Sequence, residues 1–345
     1  MKQKIAVAMS GGVDSSVVAA LLQKQGYDVF GVTMQVWQDT QDLAIKDAQL
    51  IAKRLNIPHH VVDLRKVFEQ EIITYFTNEY LLGRTPNPCV TCNHHIKFGA
   101  LLDWAKSMGA DYLATGHYAK IVKEKNRYLL KKSLSSNKDQ TYPLYHLTQQ
   151  QLSNIMFPLA DYDKSEVRKI AQDFNLEVAN KADSQDICFI TNNNYAEFIE
   201  KRTGIKMRYG NFLDRQGNIL GRHKGIYKYT IGQRKGLGIA TGKPVFVSKI
   251  NVVNNEIVLG EEEDILFKSL IVKNVNFIPV DQLIESTSVS VKIRYGAKEA
   301  DAVIIPQDKN LFKIELPIFI FYTQSLFHVS SLVDRTLVIE GPKAR

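Results

Sequence analysis

Residues 5 to 16 constrain this chain more than any other stretch: Ile5-Ala6-Val7-Ala8, then Met9-Ser10-Gly11-Gly12-Val13-Asp14-Ser15-Ser16. The four apolar residues read as a short buried strand, and Val17 to Gln25 reads as a helix. What lies between is a strand-to-helix turn. Two adjacent glycines let the backbone come close to an anion, and the turn empties onto a helix N-terminus whose unpaired N–H groups and dipole favour negative charge. Ser10, Ser15 and Ser16 add hydroxyl donors. The spacing is not that of a Walker A loop, whose lysine reaches the terminal phosphates, so cleavage between the β and γ phosphates is not the favoured chemistry. A plain Gly-Gly turn capped by Ser15 or Ser16 is the bland reading, but it needs neither Asp14 nor three hydroxyls.

The first third of the chain continues the alternation. Val29 to Met34, His60 to Leu64 and Tyr112 to Thr115 read as strands, and Leu43 to Leu55 and Lys97 to Met108 as helices. This order predicts an α/β domain with a doubly wound parallel sheet and its ligands at the C-terminal strand edge. Thr85-Pro86-Asn87-Pro88 breaks the pattern, because two prolines favour an extended run that presents Cys89 and Cys92. Helical spacing returns between Leu147 and Asn175. From Tyr209 onward β-branched alternation and glycine-rich turns predict small β domains. At 345 residues several domains are expected. The divisions fall near residues 200 and 267, giving a nucleotide-binding unit (1–200), a basic central unit (201–266) and a C-terminal β-barrel (267–345). With no run of eighteen apolar residues and no cleavable apolar N-terminal stretch, a cytoplasmic protein is expected.

Charge is concentrated. The chain carries a net +8, but from Lys201 to Lys249 twelve Lys and Arg face one acid, Asp214. That segment holds +11 and leaves the remainder slightly acidic. Interleaved with Tyr209, Tyr227 and Tyr229, it suits a phosphate-backbone partner, against the bland alternative of a solvated face. The three cysteines fall in two polar motifs, Asn87-Pro88-Cys89-Val90-Thr91-Cys92-Asn93 and Asp183-Ser184-Gln185-Asp186-Ile187-Cys188-Phe189. None is left over for core filling, and three are too few for a disulfide framework. As thiolates the three could hold an iron–sulfur cluster with one open iron, or two of them could run a persulfide relay.

The loop Ser10 to Ser15 resembles the signature of the PP-loop ATP pyrophosphatases, which attach AMP to an oxygen and release pyrophosphate. Together with the cysteines it resembles one family closely, the bacterial tRNA-specific 2-thiouridylases. The resemblance runs through Thr85 to Pro88 with Cys92-Asn93, Gly116-His117-Tyr118-Ala119 and Lys138-Asp139-Gln140-Thr141-Tyr142. It continues through Lys164 to Arg168, Asp183 to Phe189, Tyr229 to Gly238 and Arg294-Tyr295-Gly296. It implies an adenine nucleotide alpha hydrolase-like domain that adenylates the C2 oxygen of the wobble uridine and replaces it with sulfur. By the same resemblance Ala8, Met9, Ser10, Gly11, Gly12, Val13, Asp14, Ser15, Met34 and Gly116 would bind ATP. Mg²⁺ would accompany the nucleotide, with Asp14 a candidate to hold it. Cys92 would be the nucleophile and Cys188 the residue that receives persulfide sulfur, and a disulfide between cysteines is admitted. Asn87, His117, Lys138, Asp139, Gln140, Arg294 and Tyr295 would contact the tRNA anticodon stem-loop, whose target base must flip out to reach Cys92. A persulfide carrier or cysteine desulfurase would supply sulfur.

Each assignment has a plain structural counterpart: Met34 as core, His117 as a loop histidine satisfied by a backbone carbonyl, Lys138 with Asp139 as a surface ion pair, Arg294 as an exposed strand residue. Two departures matter. Many relatives carry Asp where this chain has Cys89, and a thiol, with a reference pKa near 8.5, does not inherit a carboxylate's role. Cys89, Cys92 and Cys188 then match the three cysteine metal ligands of iron–sulfur sulfurtransferases. In the C-terminal region Pro317 to Tyr322 keeps a Phe-Tyr but lacks the Gly-Gln pair usual before it, and Val329-Ser330-Ser331 stands in place of a glycine triplet. These changes motivate a rival reading, a paralogue that binds tRNA without catalysis.

Overall fold

The computed structural model describes residues 2–37, 42–181, 187–190, 194–205, 208–308, 310–321, 327–331 and 337–340. Asp183 to Asp186 of the second cysteine motif and Tyr322 lie outside them.

β1 (Lys4–Ala8) is the centre of a five-stranded parallel sheet. Its partners are β2 (Asp28–Gln35), β3 (His59–Asp63), β4 (Tyr112–Ala114) and β7 (Ile155–Met156), in the order β3-β2-β1-β4-β7. The alternation of β1 explains both layers. Ile5 and Val7 face α1 (Val13–Lys24), α2 (Asp42–Arg54) and the Lys164–Asp173 helix through Val17, Val18, Ala48, Ile51 and Val167. Ala6 faces the opposite layer with Phe68, Ile72, Phe76, Ile96 and Leu101 from the helical stretches 65–81 and 88–107. Because β2 and β3 lie to one side of β1 and β4 and β7 to the other, strand order reverses between β1 and β4. A doubly wound sheet opens its ligand crevice at that reversal. The loops after β1 and after β4 therefore converge.

Three details differ from the sequence reading. The extended run stops at Asn87: Pro88 opens a helical turn, Pro88–Thr91, that continues without interruption as a π-helix, Cys92–Ala100. Proline is at home in a helix's first turn, where its missing N–H has no partner to lose. Within the stretch expected to be helical, Ile155–Met156 forms β7, two residues recruited by pairing with Leu113 and Ala114. Ahead of it, β5 (Ala119–Glu124) and β6 (Arg127–Lys132) form an antiparallel hairpin. Finally, Arg294 lies just past the end of β13 (Thr287–Lys292) rather than on it.

Beyond the Tyr195–Thr203 helix, β8 (Gly210–Leu213), β9 (Ile219–His223), β10 (Phe246–Asn251) and β11 (Glu256–Gly260) form a sheet of order β10-β11-β8-β9 around Phe212, Val247 and Ile257. β12 (Leu266–Asn276), β13, β14 (Ala300–Asp308), β15 (Leu311–Phe321), β16 (Phe327–Ser331) and β17 (Leu337–Glu340) close a barrel. The barrel is tied to the first unit by Asn276, whose amide donates to the Tyr145 and Leu147 carbonyls at 2.8 and 3.0 Å. No helix of the described residues is long and apolar enough to cross a membrane.

Candidate active site

Gly11 has φ +67°, and a Cβ there would stand 2.5 Å from the Ala44 carbonyl oxygen of α2. Only glycine satisfies both constraints. Gly12 is the N-cap of α1, and no side chain caps it. The first-turn N–H groups are thereby left for a ligand. Two of the serine hydroxyls bond within the loop itself. Ser15 Oγ accepts from Ser10 N–H at 3.2 Å and donates to the Gly12 carbonyl at 3.3 Å, and Ser16, fully buried, donates to that carbonyl at 2.8 Å. Ser15 and Ser16 brace the loop from inside, and the Ser10 side chain stays exposed.

Gly116, in the loop after β4, completes the crevice. A Cβ at this position would stand 2.8 Å from Asp14 Cβ and 2.9 Å from the Ser15 nitrogen. Tyr118 Oη donates to Asp14 Oδ1 at 2.8 Å. Lys164 Nζ donates to both Asp14 oxygens, 2.8 Å each, and Lys181 Nζ donates to the Gly11 carbonyl at 3.0 Å and to Asp47 at 2.6 Å. Ala8 and Met34, at the C-terminal ends of β1 and β2, pack on the same hydrophobic cluster as Cys92. The buried Met9 has its carbonyl held by Thr33 Oγ1 at 2.8 Å, and Val13, also buried, opens α1.

The three thiols are grouped with one another. Cys89 and Cys92 sit one helical turn apart, and Cys188 is close enough to each of them for its charge to be felt. All three are free, so the admitted disulfide is not formed here. Crowding by protein atoms pushes Cys92 up to about 12 and Cys188 up to about 11, and raises Cys89 as well, while the Lys97 ammonium pulls all three down. Cys89 and Cys188 keep exposed surface, whereas Cys92 is partly covered. The resting groups are neutral thiols.

His117 links thiols and loop. It follows Gly116, sets its ring at a tilt 5.8 Å from that of Phe98 on the cysteine-bearing helix, and shares a 2.7 Å hydrogen bond with Thr115 Oγ1, a hydroxyl rather than the anticipated carbonyl. Complete burial, with Lys97 adding to it, holds its pKa well below the usual histidine range. The neutral imidazole is the favoured form. Gln140 is likewise internal: its side-chain oxygen accepts from Tyr118 N–H at 2.9 Å and its own N–H donates to the Tyr118 carbonyl at 2.8 Å. Asp139 accepts from Thr141 Oγ1 at 2.7 Å, and burial raises its carboxyl. Lys138 is half-buried, and Asn87 occupies the N-cap position of the cysteine helix without a side-chain capping hydrogen bond. Arg294 and Tyr295 are exposed, with the Tyr295 ring 6.0 Å from that of Tyr142.

Sequence reasoning missed the roles of Tyr118, Lys164, Lys181, Asp47 and Lys97. Tyr118 and Lys164 were quoted within motifs. Lys181 and Asp47 carry no signal at all, since only the fold brings them together.

A nucleotide loop at the reversal of a doubly wound sheet, followed by a small β unit, defines a class. Residues 3–192 match the family model described as tRNA methyl transferase HUP domain, and residues 196–261 match the tRNA methyl transferase PRC-barrel domain. The chain is 51% identical over 326 residues to the tRNA-specific 2-thiouridylase MnmA of Clostridioides difficile, covering 91% of this chain and 90% of that one. It is 50% identical over 327 residues to the protein of the same name from Acetivibrio thermocellus, covering 91% of each. The model's description speaks of methyl transfer, whereas both relatives are named for 2-thiolation. The chain belongs to the tRNA-specific 2-thiouridylase family. Among solved structures, a 4-thiouridine synthetase bound to RNA and ATP is 17% identical, with a TM-score of 0.37 over 59% of this chain and 50% of that one, too loose a likeness to bear on function.

Proposed function

We propose that the chain is an ATP-dependent sulfurtransferase that converts the wobble uridine of tRNA to 2-thiouridine. The observation that carries this reading is the span Gly116-His117-Tyr118, which touches the nucleotide loop at Asp14 and Ser15 and the cysteine helix at Phe98. A short segment in contact with both the nucleotide loop and the cysteine-bearing helix supports a reaction that joins AMP transfer to thiol chemistry.

A uridine C2 carbonyl has a poor leaving group, and adenylation of its oxygen, with release of pyrophosphate, converts that oxygen into AMP. The uncapped start of α1 would bind the phosphates. Mg²⁺ would offset triphosphate charge, and Asp14 keeps lone pairs beyond those used by Lys164 and Tyr118 with which to meet it. A carrier or desulfurase would load Cys188, whose exposed position admits a partner. The terminal sulfur of the Cys188 persulfide attacks C2 and AMP leaves with the C–O bond electrons. Cys92, having lost its proton, attacks the Cys188 sulfur, so that the S–S bond to the uridine sulfur breaks and 2-thiouridine departs. The resulting Cys92–Cys188 disulfide is reopened by a thiol reductant. Burial keeps the Cys92 proton on until late, and Lys97 is the cation that favours its loss.

The iron–sulfur route requires Cys89, Cys92 and Cys188 to converge on one cluster. Among the described residues no three His, Cys, Asp or Glu side chains are arranged to hold a metal ion. The reaction proposed runs on Cys92 and Cys188 alone. The basic segment, with Arg222 over the Tyr209 ring at 5.4 Å, would take the tRNA backbone.

Nucleoside mass spectrometry of unmodified tRNA incubated anaerobically with the chain, ATP, Mg²⁺ and a persulfide source tests this. A 2-thiouridine product lost with Cys92→Ala is expected. Tight tRNA binding with no thiolated nucleoside would favour the non-catalytic paralogue.

A further inference from the structure

Lys97 is partly buried, and among the described residues no carboxylate pairs with its ammonium and no carbonyl accepts from it. Other partly buried lysines have acids: Lys164 has Asp14, Lys131 has Glu124 and Lys228 has Glu200. An ammonium drawn out of water without a counter-charge is costly, so a lysine kept in that state suits an anion that comes and goes. A helix irregularity puts it among the thiols. After the turn Pro88–Thr91 the chain runs as a π-helix over Cys92–Ala100. In an α-helix the residue five places on lies roughly 140° round the axis. A π-helix closes its hydrogen bonds between those two positions, which brings Lys97 back over Cys92. The wide turn is held from outside and inside. Gln151 Nε2 donates to the His94 and Phe98 carbonyls at 2.9 and 2.8 Å, and a Cβ at Gly99 would stand 3.1 Å from the His94 carbonyl oxygen. Cys89, Cys92 and Lys97 thereby share one face, and the lysine's charge is felt at all three thiols and at the His117 ring.

The sulfur chemistry creates an anion in this cluster. The terminal sulfur of a loaded Cys188 is negative when it attacks, and the uridine adenylate that it attacks carries a phosphate. Two like charges approaching one another repel, and a cation beside them offsets that repulsion. We propose that Lys97 is this cation: its ammonium, turned onto the cysteine face by the π-helix, binds the terminal sulfur of the Cys188 persulfide and holds it for attack on C2. The proposal rests on the persulfide reading above and names the residue that receives the sulfur's charge. The step balances without a proton from the lysine. The S–C2 bond forms from the sulfur's electron pair, the C2–O bond breaks with its electrons leaving on AMP, and Lys97 stays an ammonium throughout. A lysine suits a guest that moves, being a compact charge on a flexible stem. His117, buried and neutral, does not substitute for it.

Anaerobic single-turnover reactions of the full chain with unmodified tRNA, ATP, Mg²⁺ and inorganic polysulfide test it on wild type, Lys97→Met and Lys97→Arg. Pyrophosphate released per tRNA reports adenylation, and nucleoside mass spectrometry reports 2-thiouridine. Lys97→Met should form 2-thiouridine about ten- to a hundredfold more slowly, the loss of a charge-assisted contact at the reacting atom, while pyrophosphate release stays within about threefold of wild type. Lys97→Arg keeps the charge and should recover most of the lost rate. Lys97→Gln, neutral but polar, is run beside the Met variant so that a folding defect peculiar to methionine is recognised. Equal slowing of both steps in the two neutral variants, or slowing of neither step, overturns the proposal, as does an arginine variant as slow as the neutral ones. A wild type that releases pyrophosphate but makes no 2-thiouridine from polysulfide removes the persulfide reading and the proposal together. A wild type that thiolates, with neutral variants that thiolate as fast, removes the proposal alone.

Discussion

Gly11→Ala and Gly12→Ala are one carbon each, in adjacent residues of one loop, and the structure assigns them unequal costs. At Gly11 the new methyl faces a backbone with φ +67°, a region that costs an L-residue roughly 1–2 kcal/mol. It also stands 2.5 Å from the Ala44 carbonyl oxygen and 3.0 Å from Asp47 Cβ. Those atoms belong to a helix and cannot swing aside, so overpacking adds about 1–3 kcal/mol. At Gly12, with φ −103°, the nearest atom to a Cβ is Ser10 Oγ at 3.4 Å, the movable end of a side chain. The total at Gly11 is therefore about 2–5 kcal/mol, and at Gly12 only the preference of an N-cap for Gly over Ala remains, about 0.5–1 kcal/mol. For a domain of this size that converts to a fall of roughly 5–15 °C in the first thermal transition of the nucleotide-free chain for Gly11→Ala, and less than about 4 °C for Gly12→Ala. Differential scanning calorimetry without ligand reads this directly. Equal shifts for the two variants would refute the argument that contact with α2 fixes the loop.

Tyr118→Phe removes one hydrogen bond to Asp14 and should weaken ATP binding by several-fold, about 1 kcal/mol; titration calorimetry checks it, with an unchanged affinity counting against the crevice geometry. Alkylation of Cys92 by iodoacetamide should be slow near neutral pH and accelerate with each unit of rising pH, because the neutral thiol persists up to about 12; a rate already flat at pH 8 would contradict it. The linked stability change follows in sign. The unfolded thiol ionises near 8.5 while the folded Cys92 holds its proton to about 12, so the unfolded state binds fewer protons across that window and stability falls as pH rises through it. Charge neutralisation at Arg222 and Lys224 should weaken tRNA binding and flatten its dependence on salt, whereas an unchanged slope in filter binding would place the RNA elsewhere.

The sheet was legible because its inner strands are continuous apolar runs of the kind that parallel sheets bury on both faces, Ile5 to Ala8 above all. β7 was not, since two residues show no period and gain their strand character from Leu113 and Ala114. The cysteine helix was hidden by reading Pro86 and Pro88 as one breaker, when Pro88 is a first-turn residue. The nucleotide loop was legible as a loop, but the direction of its hydroxyls was not: whether Ser16 faces phosphate or the Gly12 carbonyl depends on burial that no local pattern encodes. The Asp14–Lys164 pair spans 150 residues. Only the reversal of strand order between β1 and β4, with the Lys164–Asp173 helix returning onto α1, makes them neighbours.

Cys89 offers the sharpest test of how sulfur travels. Starting the helix at Pro88 places Cys89 and Cys92 three residues apart, hence on one face and one turn from each other. Cys89 is exposed, and its neighbours in the site are two further thiols and Lys97. In the persulfide route Cys92 and Cys188 carry every sulfur step, so what the 89 position contributes is a polar group at the pocket rim. Cys89→Asp should then retain thiolation within about tenfold, a change of no more than 1.4 kcal/mol in the barrier, and should favour the neighbouring thiols' protonated forms, moving the alkylation profile of Cys92 to higher pH. Complete loss of 2-thiouridine in Cys89→Asp, with ATP and tRNA affinities intact and iron present in anaerobically purified wild type but missing from the variant, would mean that the sulfurs converge after all and that the cluster route is the right one.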